Sequence, residues 1–226
     1  MEAQHRLSTR RLVDSEREHE VLEELLEARK PRKPPDCRGL HYLLATPFRY
    51  APLRRGSRFA ARHERAVWYG SETLEGCFAE VAYYRLVFLE GSAGALEPLA
   101  VELSAFRASA ASERAVDLCA APFERYAAQI ASPTSYGSSQ RLGADMRADG
   151  VELFRYPSAR LAGAVHVGLF TPSAFARRTP TPPQTWHCVA TKAAVELSRK
   201  SYFTRATQRF ERGGFLVAGR LPVPAV

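Results

Sequence analysis

The chain is poor in cysteine and lysine, and it has no long hydrophobic run. Its four cysteines, Cys37, Cys77, Cys119 and Cys188, lie 40, 42 and 69 residues apart. That spacing contains no C-x-x-C pair and no dense framework, so neither a zinc ribbon nor a disulfide scaffold organises the fold. Cys77 and Cys188 stand in apolar-rich stretches and read as small buried hydrophobes. No segment approaches the roughly 18 uncharged apolar residues that a membrane span requires. The opening Met1-Glu2-Ala3-Gln4-His5-Arg6 lacks the apolar core of a secretory signal. A soluble, cytoplasmic protein is expected.

Catalytic signatures are missing too. There is no G-x-x-x-x-G-K-[ST] loop, no G-x-G-x-x-G, no H-E-x-x-H and no G-x-S-x-G elbow. The six histidines show no metal-ligand spacing, so no metal is expected, and His166 and His187, on predicted strands, read as structural. Hydrolysis by a serine triad or a metal-bound water is thereby disfavoured.

What is present is a globular composition, 46% apolar and 25% charged over 226 residues, with a net charge of +8. Lysine occurs only at Lys30, Lys33, Lys192 and Lys200, so arginine carries nearly all of the positive charge. Arginine forks suit bidentate recognition of phosphate or carboxylate, which makes anionic ligands plausible. The arginines are dispersed and no nucleic-acid-binding motif occurs, so direct nucleic-acid binding is not expected.

The first 36 residues read as an appended helix and a stiff linker. Ser15-Glu16-Arg17-Glu18 fits a capping box. The helix it opens sets Leu22, Leu25 and Leu26 on one stripe and closes near Arg29 and Lys30, before Pro31, Pro34 and Pro35. The body, residues 37–226, is expected to begin with a strand over His41–Phe48. A basic, Pro-containing loop to Arg58 and a short strand over Ala66–Gly70 follow. Ser71 is the expected N-cap of a helix reaching about Phe88. Strands are predicted near 96–106, 151–156, 164–170 and 186–197, with short helices near 123–130 and 138–148. Strands and helices do not alternate regularly, so an α+β fold is favoured over a doubly wound parallel sheet.

Glu80 is the unusual residue of its helix. Its neighbours at three and four residues are Gly76, Cys77, Tyr83 and Tyr84, none of them charged. A carboxylate on such a face needs either a functional role or an ion pair, for which Arg49, Arg58 and Arg85 are the candidates. Arg58 follows Gly56, which permits a turn closed to other residues, and an arginine fixed there is suited to a phosphate oxygen. Tyr69 ends a strand just before the Glu80 helix. Ser158, after Pro157, is by itself an ordinary turn serine.

Taken in order, Gly56-Ser57-Arg58-Phe59, Trp68-Tyr69-Gly70, Phe78-Ala79-Glu80 with Tyr83-Tyr84-Arg85, and Tyr156-Pro157-Ser158-Ala159-Arg160 resemble the RES-domain family. The steps from 58 to 69 to 80 match its arginine–tyrosine–glutamate order, and the likeness spans roughly residues 40 to 220. Phe59-Ala60 stands where many members carry an aromatic–polar pair, and the helical extension is unlike the minimal toxins of the family. The resemblance implies an ADP-ribosyltransferase-like mixed β core with flanking helices. It implies an enzyme that consumes NAD+ by breaking the nicotinamide–ribose bond, as a glycohydrolase or a phosphorylase. It also implies a toxin held inactive by a helix-turn-helix antitoxin. Carried over by position, the family's residues fall on Arg58, Tyr69, Glu80 and Ser158. Arg58 would grip the diphosphate, Tyr69 would wall the nicotinamide, Glu80 would steady the ribosyl cation and Ser158 would bond the ligand. Arg49 is a second phosphate-binding candidate. The alternatives are ADP-ribosylation of a protein and a basic, non-enzymatic module binding nucleic acid or protein.

Overall fold

The computed structural model describes residues 12–51, 54–94, 96–201 and 206–225. Residues 1–11 of the expected extension and 52–53 of the expected basic loop lie outside them.

Helix α1 (Glu16–Arg29) starts where the Ser15 hydroxyl accepts the Glu18 N–H at 3.2 Å. The Glu18 carboxylate reaches back to the Asp14 N–H at 3.0 Å, one residue beyond the position a capping box specifies. Its inward stripe is His19, Leu22 and Leu26, whereas Leu25 is exposed. After the prolines and a 3-10 turn (Pro35–Cys37), α2 spans Tyr42–Arg49.

The expected strand over His41–Phe48 is therefore a helix. The His41 ring nitrogen accepts the Leu43 N–H, and the His41 carbonyl accepts those of Leu44 and Ala45. That start puts Leu44, Ala45 and Phe48 on one buried face. Pro47 removes one N–H late in the helix, which ends two residues later.

Among the described residues, eight strands form two sheets. β1 (Trp68–Ser71), β5 (Val165–Leu169), β4 (Leu153–Pro157) and β3 (Ala115–Asp117) lie in that order in a mixed sheet, where only β3 and β4 are parallel. β2 (Leu99–Ala105), β6 (Gln184–Ala190), β7 (Ala194–Arg199) and β8 (Thr207–Glu211) form an antiparallel sheet. α4 (Ala127–Ile130) and α5 (Gly137–Ala148) lie in the crossover from β3 to β4, as a parallel pair requires. The fold is α+β. The single strand expected over 186–197 is two, because Thr191 closes a hairpin: its hydroxyl accepts the N–H groups of Ala193 and Ala194.

The long helix α3 (Leu74–Gly91) joins the sheets. Its cap is Thr73, whose hydroxyl accepts the Gly76 N–H at 3.1 Å. Ser71, the expected cap, ends β1 instead and donates to the Val165 carbonyl. Phe78, Ala82, Leu86 and Leu89 of α3 pack on Trp186, Cys188, Val195 and Leu197 of the antiparallel sheet. Each large side chain buried there contributes about 1.5–3 kcal/mol. Cys188 is buried as expected, whereas Cys77 is exposed on the outer side of α3.

Strand alternation sorts the mixed sheet into two faces. Trp68, Leu153, Val167 and Leu169 meet α2. Tyr69, Phe154 and Tyr156 face the other way, toward Phe59, Leu118, Ile130 and Met146. Gly168 makes that second face possible. The Phe154 ring lies over it so closely that a Cβ there would stand 2.1 Å from the ring.

Candidate active site

The Arg58 turn is held from two sides. Gly56 has φ +69, and a Cβ there would strike the Ala60 carbonyl oxygen at 2.2 Å, so the turn admits glycine alone. From α5, the Gln140 amide donates to the carbonyls of Arg55 and Ser57, each at 3.0 Å, and of Ala60 at 3.4 Å. From β1, the Tyr69 hydroxyl accepts the Phe59 N–H at 3.0 Å and pairs with the Ser57 hydroxyl at 2.9 Å. Burial pushes the Tyr69 phenol up to about 12, against the pull of those hydrogen bonds, so it stays protonated at neutral pH.

Arg58 itself is 7% exposed. One terminal amine donates to the Ile130 and Ser132 carbonyls at 3.2 and 2.9 Å, and the guanidinium lies 5.0 Å from the Tyr136 ring centre. Its charge has no carboxylate partner among the described residues. The Tyr136 hydroxyl in turn lies 3.2 Å from that of Tyr84 on α3.

Glu80 approaches from α3 with its side chain 30% exposed. Among the described residues it makes no ion pair with Arg49, Arg58 or Arg85. Its nearest basic atom is His166 Nε2, at 3.7 Å. The same nitrogen lies 2.9 Å from the Ser158 hydroxyl. Ser158 Oγ also accepts the N–H groups of Arg160 and Leu161, both at 3.1 Å, which leaves its own proton for His166. Burial lowers the His166 pKa below 6.5, although Glu80 and a hydrogen bond to the Gly70 backbone pull it upward. The ring is therefore neutral at neutral pH and supplies no counter-charge to the Glu80 carboxylate.

Arg58 is thus linked through Tyr136 to Tyr84, one helical turn from Glu80 on α3, and among the described residues neither the guanidinium nor the carboxylate meets a permanently charged partner. A family model for the RES domain matches residues 33–190, most of the chain. The chain belongs to the RES-domain family. That family is linked to NAD+ and to toxin–antitoxin pairs. No curated protein matches the chain.

Within this RES domain, Arg58 and Tyr69 share one turn, and Glu80 and Ser158 share one imidazole. Arg49 stands apart from both pairs. Its guanidinium is held by the Glu27 carboxylate at 2.9 Å and by the Pro31 carbonyl, at the junction of α1 with α2. Three further residues belong with the site. Gln140 shapes the Arg58 turn, and nothing in its spacing announces it. His166 is brought to Ser158 by the β4–β5 hairpin, across an eight-residue separation. Arg160 closes the Ser158 motif and is buried against Tyr83. Among the described residues, no three His, Cys, Asp or Glu side chains are grouped as metal ligands, and no helix is long and apolar enough to cross a membrane.

Proposed function

We propose that this RES domain cleaves the bond between nicotinamide and ribose in NAD+, using Arg58, Tyr69, Glu80 and Ser158. The observation that carries the reading is the state of Glu80: a partly buried carboxylate whose one basic neighbour within 4 Å among the described residues is an imidazole that burial keeps neutral.

Nicotinamide leaves a cationic pyridinium as a neutral amide, so departure needs no acid. The C1′–N bond breaks, its electron pair goes to the ring nitrogen, and positive charge develops on the ribose. An ionised carboxylate beside the sugar stabilises that charge in the transition state more than in the ground state. Glu80 supplies it. The acceptor oxygen then bonds to C1′. With water, the products are ADP-ribose, nicotinamide and a proton; with hydrogen phosphate, they are ADP-ribose 1″-phosphate and nicotinamide. Arg58, immobilised by two carbonyls and the Tyr136 face, positions the diphosphate. Tyr69 fixes the Arg58 turn through its hydroxyl and stacks on or walls the nicotinamide. Ser158, whose proton goes to His166 and whose lone pairs take the Arg160 and Leu161 N–H groups, bonds the ribose or the amide by exchanging its bond to His166 for one to the ligand.

Family membership supports the further reading that the chain is the toxin of a bacterial toxin–antitoxin pair acting in the cytoplasm, with a helix-turn-helix antitoxin as partner. Residues 37–226 form the catalytic unit in this reading, in an ADP-ribosyltransferase-like arrangement, and α1 with its proline-rich linker is appended to it. Incubating the purified protein with NAD+ and following free nicotinamide tests the activity. Wild type is expected to release it and Glu80→Gln to release it at least a hundredfold more slowly. Absence of release by wild type, or equal release by the variant, overturns the proposal. Phosphate dependence separates phosphorolysis from hydrolysis, and label found on protein identifies ADP-ribosylation.

A further inference from the structure

Arg160 is the second buried arginine of the site, and the motif that names the family gives it no role. It is 8% exposed. Its guanidinium carbon lies 3.4 Å from the centre of the Tyr83 ring, and its Nε has no hydrogen-bond partner. Among the described residues no carboxylate pairs with it. A guanidinium withdrawn from water without an anion is costly, because hydration is lost and nothing replaces it. Stacking on a phenol ring offsets only part of that.

The position of Arg160 ties it to the catalytic groups. Its backbone N–H donates to Ser158 Oγ, which also meets His166, which in turn faces Glu80. Tyr83, on which it rests, is three residues after Glu80 on α3. The next residue, Tyr84, touches Tyr136, over which Arg58 is stacked. Tyr83 accordingly feels Arg160, Glu80 and Arg58 together. Arg160 therefore rests on Tyr83, and Arg58 reaches the adjacent Tyr84 through Tyr136, so both guanidiniums are linked to the turn of α3 that carries Glu80.

Resting on the NAD+ reading above, we infer that Arg160 is a second anion-binding residue, paired with Arg58 to hold the two phosphates of a diphosphate-bridged dinucleotide. It selects such substrates over mononucleotides. The charges match group by group: a diphosphate of −2 meets two guanidiniums, and a pyridinium of +1 meets one carboxylate. A mononucleotide leaves one guanidinium buried and unpaired, and so is bound less well.

The test measures binding of inorganic pyrophosphate and of orthophosphate to the full chain by calorimetry, beside nicotinamide release from NAD+ and from nicotinamide mononucleotide. Wild type is expected to prefer pyrophosphate. Arg160→Gln should lose at least tenfold of that preference and at least tenfold of the kcat/KM ratio of dinucleotide to mononucleotide. Arg160→Lys, which restores charge without the fork, should recover part of both, and it carries the test if the glutamine variant fails to fold. Equal affinity of wild type for the two anions overturns the inference, as does an unchanged preference in a folded Arg160 variant. If wild type prefers pyrophosphate yet releases no nicotinamide, the anion site stands and the NAD+ chemistry falls.

Discussion

His166 Nε2 lies 3.7 Å from the Glu80 carboxylate and takes the Ser158 hydroxyl at 2.9 Å, so one ring nitrogen faces both an anion and a donor. Protonation would change both contacts at once. The cation would draw Glu80 into an ion pair and could no longer accept from Ser158. The groups facing the ring are Glu80 from α3, Ser158 from the loop after β4, the Gly70 backbone from β1 and the Tyr156 ring from β4 at 5.4 Å.

From this a pH dependence follows. The folded-state pKa of His166 is lowered by burial from 6.5, so the unfolded chain takes up a proton first as pH falls. The contribution to stability is full above 6.5 and is lost as pH drops through the lower folded value. Activity should decline over the same acid range, since protonated His166 neutralises Glu80. The kcat/KM of nicotinamide release, followed from neutral to acid pH, should show this limb in wild type and lack it in His166→Gln.

Glu80→Gln should separate chemistry from folding. Among the described residues its carboxylate has no cationic partner at neutral pH, so the thermal midpoint should stay within a few degrees of wild type. Turnover should fall by about 10²–10³, the usual loss on removing one transition-state electrostatic group. KM for NAD+ should change little. A large fall in melting temperature would mark the residue as structural.

Tyr69→Phe should act on the Arg58 turn. It leaves the Phe59 N–H without its acceptor in a buried site, at a cost of about 1–3 kcal/mol. Urea unfolding should register that loss, and KM for NAD+ should rise severalfold as the arginine loses its fixed position. Unchanged KM with lowered stability would detach the turn from substrate binding.

Gly168→Ala reports on the face that supports Tyr69 and His166. The new methyl would meet the Phe154 ring at 2.1 Å, and that ring is fixed by Phe59, Tyr156 and Phe170. Overpacking of this kind costs about 1–3 kcal/mol. Calorimetric melting should show the drop, with activity falling in parallel.

The sequence made some of this legible and hid the rest for physical reasons. Glu80 was conspicuous because local spacing alone exposed the lack of charged neighbours on its helix face, and the structure provides no arginine for it among the described residues. The α+β class followed from the irregular order of elements. His41–Phe48 misled because a short apolar run carries no period, and the deciding contacts are caps made by His41. Thr73 and Ser71 are both competent caps, and only the pairing of β1 with β5 decides between them. β3 is three residues long and β8 alternates along polar residues, so neither offers a hydrophobic signal. His166, Gln140 and Arg160 reach the site through tertiary contacts that no local pattern encodes.

The grip of Gln140 on three carbonyls of the Arg58 turn has a mechanical consequence. Helix α5 and the turn move as a single lever, since one amide cannot follow the helix while releasing the loop. A displacement of α5 at Gln140 would therefore be passed to the turn that carries the Arg58 guanidinium.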